Sequence, residues 1–399
     1  MDAGATVTGT AALHLTVPVE QAVFTSVRSP LGQGYRLVAA SAGISPDEKR
    51  EIVQRAPSHG SLCDSESAAV GLASFTLRTG RQCLFLSRIA GIEPTARGGY
   101  RVCTHVLVME QADFFRYGCN PLVIETLARP LFEAAWAAAP PAALGTLALP
   151  APVVSAERAG TVGVAPADMD RCARVAGAVL DGKRLLVVGA PRPRDVLTLV
   201  FSAIPAALRP ELSLSYGLRY APARCFRLML AQPDRADIER VARDQALRVL
   251  RWDAAPAEEH RTAAPREQQQ RAAPREPGGR SDAPCAAWLG FARRRWESGR
   301  WSELDRLAAE LTGERSAHDL ARIAALAEDL ERVGSADEAL LDRLLAVHAA
   351  DRPRSLGHAR LLGELRQAAT ARRATLERQR QEQEAPPLPT PGNPPALTS

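Results

Sequence analysis

Cys103 and His105 stand two residues apart in "YRVCTHVLVM", the spacing that puts two side chains on one face of a β-strand. A thiol and an imidazole on one face suggest nucleophilic chemistry, in which the histidine takes the thiol proton and the thiolate attacks an electrophilic carbon. That chemistry needs the two groups within hydrogen-bond reach, a third group to orient the ring, and access for a substrate. Leu107 and Met109 continue the same face, so the pattern favours a packed interior with a small apolar thiol and a buried, hydrogen-bonded histidine. Cys63, beside Asp64, Ser65 and Glu66, is the other thiol that a cysteine-dependent hydrolase would pair with His105. A metal centre would need ligands that this spacing does not supply, and no metal or cofactor is expected.

Two glycine-containing stretches invite a nucleotide reading. Gly32-Gln33-Gly34 is followed by the strand-like "YRLVAAS", and the place of a third glycine is taken by Leu37. A dinucleotide fingerprint requires a helix there, because the phosphate is held by the amides and dipole of a helix N-terminus. A turn between two strands is expected instead. Gly182-Lys183 precedes an apolar strand and is followed by Arg184, the reverse of a Walker arrangement, so the chain is not expected to be an NTPase itself.

Trp288, Trp296 and Trp301, interleaved with Arg293, Arg294, Arg295 and Arg300, resemble a platform on which single-stranded nucleic acid could stack. At helical spacing the same residues read as a core with arginines on its wet face.

The elements that must carry these groups follow from the pattern along 399 residues, long enough for several domains. From residue 1 to 150, short β-like runs such as "QAVFTSV", "QCLFLSRIA" and "YRVCTHVLVM" alternate with turns, and helices are expected after Ser45 and Cys119. This is an α+β domain with a mainly antiparallel sheet. Residues 151–253 are expected to form a second mixed α/β domain, also with a mainly antiparallel sheet, in the order αβαββα, its last helix beginning near Asp237. Residues 254–284 repeat "AAPRE" and hold no large apolar side chain, so they are expected to be a disordered linker. Residues 285–380 carry five amphipathic helical runs, a helical bundle or stacked helical hairpins. Capping boxes are expected at Ser302, Ser316 and Ser335. Residues 381–399 are a proline-rich tail expected to be disordered.

Composition narrows the partners. The net charge is +5 and the isoelectric point near 9.0, yet basic and acidic residues are interspersed, as in "LERQRQEQE", which argues against a nucleic-acid patch. Seven scattered cysteines without a C-x-x-C pair suit free thiols in a reducing compartment. No apolar run reaches the length of a bilayer span, so the expected address is the cytoplasm, with no membrane partner.

The blocks "QAVFTSVRSPLGQGYRLVAASAGIS" and "YRVCTHVLVMEQADFFRYGCNPLVIETLA" resemble the type-two N-terminal domain of the bacterial GTPase-associated proteins of NTPase-centred conflict systems. The resemblance runs through Phe24, Thr25, Ser26, Gly34, Tyr35, Ser41 and Gly43, then Thr104, His105, Asn120 and Pro121. "RPELSLSYGLRYAPARCFRLMLAQPD" is similar to the middle domain of the same group. The resemblance implies a non-enzymatic adaptor or regulator acting with a separate GTPase or another protein of the same system, and it brings no catalytic residues with it.

Overall fold

The computed structural model describes residues 16–29, 32–62, 69–92, 99–136, 143–151, 163–221, 224, 226–231, 247–253 and 285–384. The first apolar runs merge into one long strand, β1 (Thr16–Ser29), which turns back into β2 (Gly32–Ala40) with Ser29 opposite Gly32 and Val27 opposite Gly34. Gly32-Gln33-Gly34 therefore belongs to a β-hairpin, with β-strand and not a helix behind it. Gly34 has a φ of +139°, a conformation that costs a residue with a Cβ more than it costs glycine.

Strands β3 (Val70–Thr76), β4 (Gln82–Ile92) and β5 (Tyr100–Met109) extend the antiparallel sheet, and β1 pairs with β5 as well as β2. Helix α1 (Pro46–Arg55) begins at a capping box in which Ser45 and Glu48 satisfy each other's backbone N–H. It lays Ile52 on the sheet face that also carries Val102, Val106 and Val108. The opposite face, with Cys103 and Leu107, packs against α2 (Gln111–Arg116) and α3 (Pro121–Trp136). This alternation is what a strand buried on both sides requires. A short β6 (Leu147–Pro150) pairs with the start of β1.

Beyond it come α4 (Pro166–Leu180), β7 (Leu185–Val188), α5 (Pro193–Ser202), β8 (Leu214–Tyr216), β9 (Leu228–Ala231) and β10 (Arg248–Arg251). Strands β8, β9, β7 and β10 run parallel to one another, and not antiparallel as expected for residues 151–253, because the crossover through α5 returns the chain to the same edge direction. Strand β8 pairs antiparallel with β3, Leu72 opposite Tyr216 and Leu214 opposite Ser74. The strands before residue 110 and those after residue 184 thus form one sheet, in the order β10-β7-β9-β8-β3-β4-β5-β1-β2. The helix expected near Asp237 and the linker at 254–284 lie outside the described residues. Strand β10 was not legible in the pattern: four residues with an arginine at each end carry too little alternation.

The five helical runs become α6 (Ala286–Glu297), α7 (Trp301–Glu310), α8 (Ala317–Arg332), α9 (Glu338–Val347) and α10 (Leu356–Glu384). Ser316 and Asp319 form the expected capping box. The other two helix starts differ: α9 is capped by Asp337, whose side chain accepts from the Leu340 N–H, and Ser302 lies inside α7. Asp305 is freed by that shift for a different bond, to Arg209.

These helices are seated on α4 and α5. Trp288 is fully buried and donates its indole N–H to the Ala203 carbonyl at 2.7 Å, while Trp296 donates to Ser202 Oγ at 2.9 Å. Arg209, 2% exposed, locks the junction. Its guanidinium donates to the carbonyls of Ile204 at 2.7 Å, Gly118 at 2.8 Å and Phe201 at 2.8 Å, and to Asp305 Oδ1 at 2.8 Å. One side chain therefore ties the α2–α3 loop, the end of α5 and α7 together. Among the described residues no helix is long and apolar enough to cross a membrane.

Candidate functional site

The residues singled out in the sequence gather around β1, β2, β5 and the start of α3. Cross-strand pairing places Phe24 opposite Thr104, Thr25 opposite Cys103, and Ser26 opposite Tyr35. The Thr25 hydroxyl donates to the Val102 carbonyl at 3.0 Å, and the Val102 N–H donates to the Tyr35 hydroxyl at 3.0 Å. Thr104 bonds Ser87 across to β4 at 2.9 Å. Phe24 and Tyr35 stack with ring centroids 5.8 Å apart. These hydroxyls cross-link strands inside the sheet, where each buried polar group must find a partner.

Ser41 and Gly43 close the end of β2. The Gln21 N–H donates to Ser41 Oγ at 2.9 Å, and Ser41 Oγ donates back to the Gln21 carbonyl at 3.1 Å. Gly43 donates its N–H to Glu20 at 3.2 Å, and a Cβ there would lie 2.4 Å from the Glu20 carboxyl carbon. At the other end of the cluster, Asn120 Oδ1 accepts the Leu122 N–H at 3.0 Å and Pro121 opens α3, a start in which the proline forgoes an N–H that would have no helical partner. Asn120 and Pro121 thus place α3, whose Phe132 lies 5.3 Å from the His105 ring.

His105 and Cys103 share a face, as the spacing implied. His105 is 1% exposed, and Nε2 lies 2.9 Å from Gln21 Oε1, whose amide nitrogen donates to the Gly145 carbonyl. Burial pushes the imidazole pKa down to about 3, so the ring is neutral near pH 7. Cys103 is 5% exposed, and burial raises its pKa against the opposing influence of Thr25, Arg88 and Arg101. A cysteine hydrolase attacks through a thiolate, and this environment holds the protonated thiol. Cys63 lies outside the described residues.

The tryptophan and arginine module is likewise committed elsewhere. Trp288 and Trp296 are buried against α5, so neither presents a face to a base. Arg293 pairs with Asp170 and Glu297, Arg294 with Glu328, Arg295 with Glu303 and Glu331, and Arg300 with the same two glutamates.

One feature of the first sheet went unread in the sequence. Arg36 stands opposite Thr25, Thr25 opposite Cys103, and Cys103 opposite Arg88, a single row across β2, β1, β5 and β4. Arg101 lies two residues before Cys103, on the same face. Arg88 is stacked with its guanidinium carbon 4.3 Å from the centre of Phe132, and Arg101 donates to the Ala90 carbonyl at 2.9 Å. The sequence signal was present: "GYRLVAA", "LFLSRIA" and "YRVCTHV" each set one arginine into an otherwise apolar or weakly polar strand.

Residues 18–150, which include all of these positions, match the family described as GTPase-associated protein 1, N-terminal domain type 2. No curated protein matches the chain.

Proposed function

From the premise that residues 18–150 are a GTPase-associated protein N-terminal domain of type 2, we propose that the chain is a non-enzymatic adaptor or regulator of a separate GTPase in a bacterial conflict system. The family match is the observation that carries this reading. The surroundings of Cys103 and His105 support it, because a protonated thiol beside a neutral, buried imidazole contributes packing and not an activated nucleophile. Glu125 on α3 adds further support. It accepts from the Tyr216 hydroxyl on β8 and pairs with Arg129 and with Arg194 on α5, which keys the N-terminal elements to the parallel strands. With Arg209 doing the same for α7, the described surfaces are held in fixed relation, as a preorganised recognition body needs.

The test is co-expression with whichever GTPase the chromosome encodes in the neighbourhood of the chain. Tagged chain is expected to retain that GTPase through purification in at least one nucleotide state. Recovery of the chain alone with GDP, with a non-hydrolysable GTP analogue and without nucleotide would refute the reading.

A further inference from the structure

We propose that Arg36, Arg88 and Arg101 form a docking surface for an extended acidic segment of the partner protein. This deepens the adaptor reading and rests on it for the identity of the partner. The three side chains share one face, by the pairing of Arg36 with Thr25, Thr25 with Cys103 and Cys103 with Arg88, and by the two-residue step from Cys103 to Arg101. Three inter-strand gaps separate Arg36 from Arg88, about 14 Å between backbones, so the flexible arginines between them command a short strip of surface.

None of the three has a carboxylate within 4.0 Å among the described residues. Arg88 contacts a ring and Arg101 a backbone carbonyl, and the Arg88 Nε is buried without a hydrogen-bond partner. Three like charges gathered without counter-charge among the described residues repel one another, and anions brought from outside would stabilise the arrangement. Around α6, by contrast, Arg293, Arg294, Arg295 and Arg300 are each paired with carboxylates.

Charge complementarity selects the occupant. Alternate side chains of an extended segment repeat about every 7 Å on one face, so two or three carboxylates at that spacing match the strip. The row runs across the strands, so the segment would lie on the sheet face along it, entering over β2, which ends the sheet order. Nucleic acid fits less well: Phe132 is 1% exposed and stacked with Arg88, which leaves bases no open ring to stack on among the described residues of this strip.

Full-length chain is titrated into a fluorescein-labelled dodecapeptide of alternating glutamate and threonine at low salt, about 50 mM, and binding is followed by anisotropy. Saturable binding is expected, weakened about tenfold or more in the Arg36→Glu/Arg101→Glu double variant. Arg36→Glu alone, at an exposed position, serves if the double variant does not keep the wild-type circular dichroism and melting curve. Equal affinity of wild type and variant would overturn the proposal, as would absence of peptide binding or tighter binding of an oligothymidylate of the same length. In a second arm the same variant meets the purified GTPase. Loss of binding by the variant alone supports the surface. Equal binding by both removes the surface but leaves the adaptor reading standing, and failure of the wild type removes that reading while the peptide arm still decides on the strip.

Discussion

Arginine occurs in two opposite settings in this molecule. At the junction of α5, α7 and the α2–α3 loop, Arg209 has four of its five N–H donors taken by three carbonyls and by Asp305. On the face of β2, β4 and β5, Arg36, Arg88 and Arg101 face no carboxylate among the described residues. The difference teaches that matched charge is a device of assembly in this fold, whereas unmatched charge is what the proposed docking surface rests on.

The comparison is broken most severely at Arg209. Replacement by alanine removes the donor that Arg209 supplies to Asp305 and to three carbonyls, and a loss of about 3–5 kcal/mol is expected in urea unfolding. A loss below about 1 kcal/mol would show the junction to be incidental. Protonation probes the buried side of the other region. His105 has a folded pKa of about 3 against an ordinary 6.5, so between those values the unfolded chain binds a proton that the folded chain refuses. Stability should fall as pH drops through that window, by at most about 1.4 kcal/mol per unit, with no contribution from this group above it. His105→Gln should flatten that segment of the stability profile, and an unchanged slope would place the pH dependence elsewhere.

Smaller effects sharpen the contrast between matched and unmatched charge. Arg88→Ala removes a guanidinium stacked on Phe132 and should cost about 0.5–1 kcal/mol. Arg300→Ala breaks exposed pairs with Glu303 and Glu331 and is expected to cost about 0.2–1 kcal/mol, shrinking as salt is raised. Arg36→Ala should leave stability within about 0.5 kcal/mol of wild type. A destabilisation at Arg36 equal to that at Arg209 would erase the distinction.

Local pattern made much of this fold legible. Strands β4 and β5 announce themselves as runs of apolar and β-branched residues, and α1 and α8 carry capping residues that the structure uses. Non-local pairing was not legible. Nothing near Leu72 says that Tyr216 will lie opposite it, and the partners of Arg209 range from residue 118 to 305. Ser302 shows the same limit at short range, because its spacing to Asp305 mimics a cap while Asp305 answers to Arg209. The family positions were legible as a group, yet their roles needed coordinates: Thr25, Ser41 and Asn120 prove to be hydrogen-bonding joints of the backbone. The arginine row was missed because β-strand register, not sequence spacing, brings Arg36 into line with Arg88.

The central claim is that this chain works by holding another protein. Sedimentation velocity of the purified full-length chain mixed with the purified neighbouring GTPase tests it most directly. A single faster boundary in at least one nucleotide state is the expected result. Two boundaries that sediment independently, with GDP, with a GTP analogue and without nucleotide, would contradict it.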